Sequence, residues 1–295
     1  LSLSADHVKD AKYVINCDSE SIHVICVASA GSCHMEFTRD LHRCAPKGDT
    51  ALTVRAHALA GGHSGEVINE GRGNAIKAVA DVLYRLSEGG VEYALADYKG
   101  GVAANAIPSD ASAVVVVAAK DVDRVKATVA AAEKDFNLVY GETDPNAVFE
   151  VTPAALPKSV LSAEDTKSIV DVINLLHCGV FAMDRRLPRL PALSASLGTI
   201  ETREDVLAFQ YFPRSSSDAR LQALVRVMPI MAKCTGTKVH IEKPFPAWTE
   251  SKNSKLQALM AAAYKDVMGK EPRMEAMHGG LETGFLYAMN PDLDI

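Results

Sequence analysis

The sequence predicts an α/β protein whose regular part runs twice through one β-α-β-β-α order. Three observations predict it: strands that alternate apolar and polar residues, helices with one apolar stripe, and a return of the same order of elements after residue 149. Residues 51–59 alternate, with Leu52, Val54 and Ala56 on one face and Thr53, Arg55 and His57 on the other. Residues 74–86 set Ile76, Val79, Ala80, Leu83 and Leu86 on one helical stripe. Strands at 93–98 and 113–119 and a helix at 122–136 complete the first unit. The second opens with a strand at 149–151 and a helix to residue 176 with Ser162 as N-cap. Strands at 194–201 and 206–212 follow, split by the turn-like Thr202-Arg203-Glu204-Asp205. A helix at 216–233 and a strand at 238–242 close it. Such units pack a sheet on one side and helices on the other. Ahead of this block lie a short strand at 13–16 and an apolar run at 22–28. After it come a proline-marked exit at 243–247, with Trp248 beside it as a packing anchor, a helix at 255–268 and a loop-rich tail. The expected division is therefore 1–47, 48–242 and 243–295, with the middle block inserted between flanks that belong together.

Composition narrows the functional classes. A chain of 295 residues with 48% hydrophobic residues can bury a sizeable core. The net charge of −6 offers no basic surface to nucleic acid. The longest apolar run, 111–119, is a strand's length and too short to span a membrane. Six cysteines without a CxxC pair fit reduced thiols in a cytosolic protein, and residues 1–10 lack the basic start and apolar centre of a signal peptide.

Several residues could carry chemistry. His63 sits in Gly61-Gly62-His63-Ser64-Gly65, where glycines free the backbone and an imidazole could donate to a developing negative charge. The alternative is a glycine-rich turn whose histidine faces water. Asp18 follows the strand at 13–16, where α/β proteins place ligands and metals; it could equally cap its own turn. Arg214, at a strand end before a helix, could clamp a carboxylate or lie over the sheet. Asn105 lies in a link between strands and reads equally as a turn residue. His278 and Glu282 stand four apart in a glycine frame, His278-Gly279-Gly280-Leu281-Glu282-Thr283-Gly284, which favours a loop approaching something closely over a regular helix. No P-loop, dinucleotide fingerprint, zinc finger or serine-nucleophile elbow is present.

Taken in order, Asn16-Cys17-Asp18-Ser19-Glu20, the Gly61–Gly65 segment with Asn74, Asn105-Ala106-Ile107-Pro108, Arg214-Ser215 and the 278–284 loop resemble the aminoacyl-histidine dipeptidases. These Xaa-His or cytosolic non-specific dipeptidases belong to the zinc aminoacylase/carboxypeptidase family. The resemblance implies a lid domain of two tandem β-α-β-β-α units inserted between two incomplete pieces of a di-zinc catalytic domain. It implies two zinc ions per full-length subunit, a dipeptide substrate, a cytoplasmic setting and a homodimer through the lid. Asp18 then matches a metal ligand, and His63 a lid histidine that polarises the scissile carbonyl. Asn105 and Arg214 match residues that hold substrate, with Arg214 on the free carboxylate. Gly280 and Glu282 match the loop beside the substrate, Glu282 near its amino group.

The chain departs from that pattern. The family's H-x-D segment, a further aspartate and a Glu-Glu pair lie upstream of the Asp18 motif, and its last metal ligand lies beyond the position of Asp292. The resemblance thus implies a chain truncated at both ends that keeps Asp18 alone of the metal ligands, against about three that a catalytic zinc needs. Ala104 stands where relatives carry arginine, Thr283 where they carry cysteine, and Ser21-Ile22-His23 where they are acidic. The expectation is zinc-dependent dipeptide hydrolysis by the full-length protein, with these 295 residues inactive alone. The alternative is a non-catalytic α/β module for dimerisation or binding.

Overall fold

A computed structural model describes residues 4, 6, 8–17, 21–185, 190–251 and 253–295. Its main feature is an antiparallel sheet. Eight strands run in the order Val148–Pro153, Thr50–His57, Ala111–Val117, Tyr93–Gly100, Pro191–Thr202, Val206–Ser215, Met35–Asp40, Lys238–Ile241. Gly179–Met183 and Gly31–Ser32 add short pairings to Pro191–Thr202 and Val206–Ser215.

The sheet is two four-stranded units joined edge to edge. In each, the strand that comes first in sequence lies between the fourth and the third, and the second lies at the junction. The units meet where Tyr93–Gly100 runs beside Pro191–Thr202, with Gly100 opposite Ile200 and Lys99 opposite Glu201. Both units the sequence predicts are present, but they are nested rather than consecutive. The second unit begins with Met35–Asp40, and the whole first unit, from Thr50–His57 to Val148–Pro153, lies between that strand and the helix Ala163–Leu175. The strand containing 149–151 closes the first unit by pairing with Thr50–His57, with Phe149 opposite Ala56. The sheet consequently crosses the boundary expected at residue 48.

Side-chain alternation explains why Met35–Asp40 belongs here. Met35 and Phe37 are fully buried while Glu36 and Thr38 are half-exposed. Phe37 stands opposite Phe209, their rings stacked 5.1 Å apart and 6° from parallel. Such a cross-strand aromatic pair contributes roughly 0.5–1.5 kcal/mol beyond its area. Arg39 then ties the strand to the helix Ala163–Leu175 through Asp165, at 2.7 Å.

One core cluster joins Leu52, Val54 and Ala56 to the helix Ala75–Glu88, in which Ile76, Val79, Leu83 and Leu86 are fully buried. The helix expected over 216–233 is two, Asp218–Val225 and Met228–Thr235, because Pro229 starts a new first turn and cannot continue the old hydrogen-bond ladder. All six cysteines are free. No helix among the described residues is long and apolar enough to cross a membrane.

The two ends of the chain meet each other. Val24–Ser29 runs parallel to Arg273–Met277, and Tyr13 bridges Asp294, also in parallel. Val8, Trp248, Leu293 and Ile295 form a separate small core, so Trp248 is a packing anchor. Ser254 N-caps the helix Lys255–Met268, and the Asp294 carboxylate accepts from Lys255 N and Leu256 N at 2.9 Å. A carboxylate there complements the helix dipole.

Candidate active site

The loop from 58 to 74 links the first strand of the first unit to its helix. Gly61 and Gly62 adopt φ of +59° and +123°, which turns the chain into the short strand Gly62–His63. That strand pairs with Ala106–Ile107, His63 opposite Ala106, and Ser64 N donates to Asn105 O at 2.9 Å. His63 and Asn105 are thus neighbours through the backbone, and Asn105 itself is exposed.

Gly65 is the point of closest approach. A Cβ there would stand 3.0 Å from His63 Cε1, 3.2 Å from the His278 carbonyl oxygen and 3.3 Å from Arg214 Cζ. The missing side chain lets three elements remote in sequence converge: the 58–74 loop, the end of Val206–Ser215, and the loop after Arg273–Met277.

Arg214 is 4% exposed, and its guanidinium lies 4.6 Å over the Phe212 ring. Its Nε donates to Ser64 Oγ at 3.4 Å, and no carboxylate among the described residues pairs with it. Burial lowers its pKa to about 10, so the group is still charged at neutral pH. His278 is 5% exposed, with Nε2 2.7 Å from Ser194 Oγ and Nδ1 without a hydrogen-bond partner among the described residues. Burial, reinforced by the charge of Arg214, takes its pKa down to about 3, so this imidazole is neutral. Burial and then Arg214 also lower the pKa of His63, against a smaller opposing effect of Glu66, whose Oε1 is 3.7 Å from His63 Nδ1. A neutral His63 has one N–H to donate.

The structure therefore brings His63, Asn105 and Arg214 together and adds His278, Ser194 and Ser64 to them. Gly280 and Glu282 occupy the loop that leaves His278 but make other contacts. A Cβ on Gly280 would touch the Phe245 ring at 3.1 Å, and Glu282 Oε1 accepts from Asn16 Nδ2 at 2.9 Å. Asp18 lies outside the described residues. Its motif neighbour Asn16 is the residue that meets Glu282. A cleft of about 860 Å3 opens beside the His63 hairpin, lined by Gly61, Gly62, Ala106, Ile107, Lys99 and Gln210 among others, and neither His63 nor Arg214 lines it. Ser194 and the buried state of His278 escape sequence reading. The signal for Ser194 is its register, directly opposite Arg214.

Among the described residues no group of three or more His, Cys, Asp or Glu is placed to hold a metal ion. These residues do not by themselves fit the two-zinc site that the resemblance implies, since a catalytic zinc takes about three protein ligands.

The fold is a helix-packed antiparallel sheet in which the loop bearing His63 meets Arg214, a buried guanidinium with no carboxylate partner among the described residues. Residues 56–144 match the peptidase dimerisation domain family. The chain is 27% identical over 288 residues to the cytosol non-specific dipeptidase of Escherichia coli (strain K12), covering 97% of this chain and 59% of that protein. It also superposes on the crystal structure of aminoacylhistidine dipeptidase from Vibrio alginolyticus with a TM-score of 0.87 at 25% identity, covering 94% of this chain and 56% of that one. The chain is a homologue of these dipeptidases and carries the peptidase dimerisation domain. It spans little more than half the length of either relative.

Proposed function

We propose that the protein to which these residues belong is a zinc-dependent dipeptidase of broad, Xaa-His type, in which this chain supplies the substrate-holding lid. The observation that carries the reading is Arg214, a buried guanidinium with no carboxylate partner among the described residues. An uncompensated buried charge costs several kcal/mol, a cost that a bound anion removes. A dipeptide's free carboxylate is such an anion, and a guanidinium takes it bidentately. His63 then donates its N–H to the carbonyl oxygen as charge develops there. Asn105 holds the substrate beside it, and Gly280 and Glu282 border it on the other side, with Glu282 toward the amino group. When bound, zinc would supply an activated water. Asp18 is the ligand this chain contributes, so the 295 residues alone hold no zinc pair and turn over negligibly.

The two units meet within one chain, so His63 from the first and Arg214 from the second assemble in cis. A homodimer through the lid then uses an outer surface, because Tyr93–Gly100 is already paired with Pro191–Thr202. Exposed Leu138, Val139 and Val148 lie at the outer strand Val148–Pro153 and its helix. Free thiols and a relative named as cytosolic support a cytoplasmic setting. The test is metal analysis with a Gly-His or carnosine assay, on the 295 residues and on the whole protein. Turnover by the whole protein alone is expected. Two tight zincs with turnover in the short chain would overturn the reading of its inactivity, and no dipeptide turnover by either would leave a binding module. Light scattering of the whole protein tests the dimer; a strict monomer at high concentration overturns it.

A further inference from the structure

We propose that Asp144 is a positioning residue that fixes the place of His63 by closing the loop that carries it. The inference rests on the reading of His63 given above. Asp144 is 1% exposed, and among the described residues no Lys, Arg or His forms an ion pair with it. Its two oxygens instead take main-chain N–H groups from the two ends of one loop. Oδ1 accepts from Ala60 N at 2.7 Å, and Oδ2 accepts from Gly73 N at 2.7 Å. Thr143 Oγ1 stands 3.3 Å from Oδ2, its single proton shared between that oxygen, Tyr140 O at 3.1 Å and Gly71 O at 3.3 Å. A buried carboxylate without a counter-ion persists when N–H donors saturate it, and charge-assisted bonds of this kind are short and strong. Residues 60–73, with His63 among them, are a loop closed on a single side chain.

Asp144 is itself held. Its N donates to Tyr140 O at 2.7 Å, just past the helix Val122–Tyr140, and its carbonyl accepts from Ala147 N at 3.1 Å. The far side of the loop is tied to the other half of the site. Gly73 leads into Asn74, the N-cap of Ala75–Glu88, whose Nδ2 donates to Leu197 O at 2.9 Å on the strand that carries Ser194. A second tie, Arg72 Nη1 to Gly61 O at 2.5 Å, lies inside the same loop. The carboxylate therefore sets the height of His63 relative to Arg214 without touching either. An amide cannot replace it, because one of its two ends would be an NH2 facing an N–H donor.

The experiment is NMR of the whole protein, following the His63 ring through a pH titration in the wild type, Asp144→Asn and Val129→Ala. Val129 is a buried core residue on the adjacent helix and controls for loss of packing alone. Asp144→Asn is expected to move the His63 ring resonances and return its titration toward the ordinary imidazole value, while Val129→Ala leaves both unchanged. Ring signals and titration in Asp144→Asn that match the wild type would overturn the proposal. Hydrogen exchange on the wild type stands if that variant does not fold: the Ala60 and Gly73 amides should exchange together, within about threefold. Rates more than tenfold apart would show that no common clamp exists. In turnover, Asp144→Asn should lower kcat with little change in KM. A His63→Ala protein that keeps full turnover would sink the reading of His63 and leave the ring and exchange results standing.

Discussion

Ser194 and Arg214 stand directly opposite one another on the paired strands Pro191–Thr202 and Val206–Ser215, and the hydroxyl of the first is 2.7 Å from His278 Nε2. That register places a neutral buried imidazole and a charged buried guanidinium near one another, and among the described residues no acid pairs with either. The arrangement is costly in the empty molecule and suited to receiving an anion.

Arg214→Met tests that cost. Methionine fills similar space over Phe212 and removes a buried charge, so the folded chain should be as stable as the wild type or more so. Dipeptide binding by the whole protein should fall sharply, seen as a raised KM. A drop in Tm of more than about 5 °C would show that the arginine serves the fold rather than a ligand.

His63→Ala should leave the fold intact, because His63 is only half-buried and among the described residues its Nδ1 makes no hydrogen bond, the Glu66 carboxylate standing 3.7 Å away. In the whole protein kcat should fall by roughly 10²–10³, the usual loss for one donor to a developing oxyanion, with KM little changed. Steady-state kinetics on Gly-His checks it, and an unchanged kcat would remove His63 from the reaction.

Stability should decline on acidification in a way that His278 largely explains. Its folded pKa, about 3, lies below the ordinary 6.5, so the unfolded chain binds the proton more tightly. The contribution is full above pH 6.5 and is lost as pH falls from there toward 3, at up to about 1.4 kcal/mol per pH unit. His63, lowered for the same reasons, adds in the same direction. Urea unfolding at several pH values should show a shallower slope in His278→Gln, and equal slopes would contradict the assignment.

Asp165 should be a main stability determinant of the nested architecture. It is fully buried and takes bonds from Arg39 Nε at 2.7 Å, His42 N at 2.6 Å and Ser162 Oγ at 2.8 Å. Burial alone would raise its pKa, but these bonds from His42, Ser162 and Arg39 outweigh it and hold the carboxyl below the ordinary range. Asp165→Ala leaves Arg39 with Glu164 at 3.1 Å as its remaining carboxylate and leaves the part-buried His42 N–H unpaired, which should cost about 1–3 kcal/mol in denaturant unfolding. A loss under about 1 kcal/mol would show that the contact is incidental.

The sequence by itself determined the α/β class, the two units and their helical and strand faces, because periodicity and N-caps such as Ser162 act within one turn or one strand. It also marked His63, Asn105 and Arg214 through their glycine and strand-end settings. Tertiary structure alone decided the nesting, because Met35–Asp40 finds its partner only where Phe37 meets Phe209, and no local window contains both. It likewise decided that His278 is buried on Ser194, 84 residues away, while Glu282, four residues further on, turns instead to Asn16. Gly65 was legible as a flexible residue in a turn. That it is the place where His63, Arg214 and His278 converge depends on three long-range approaches, which only the packed chain can make.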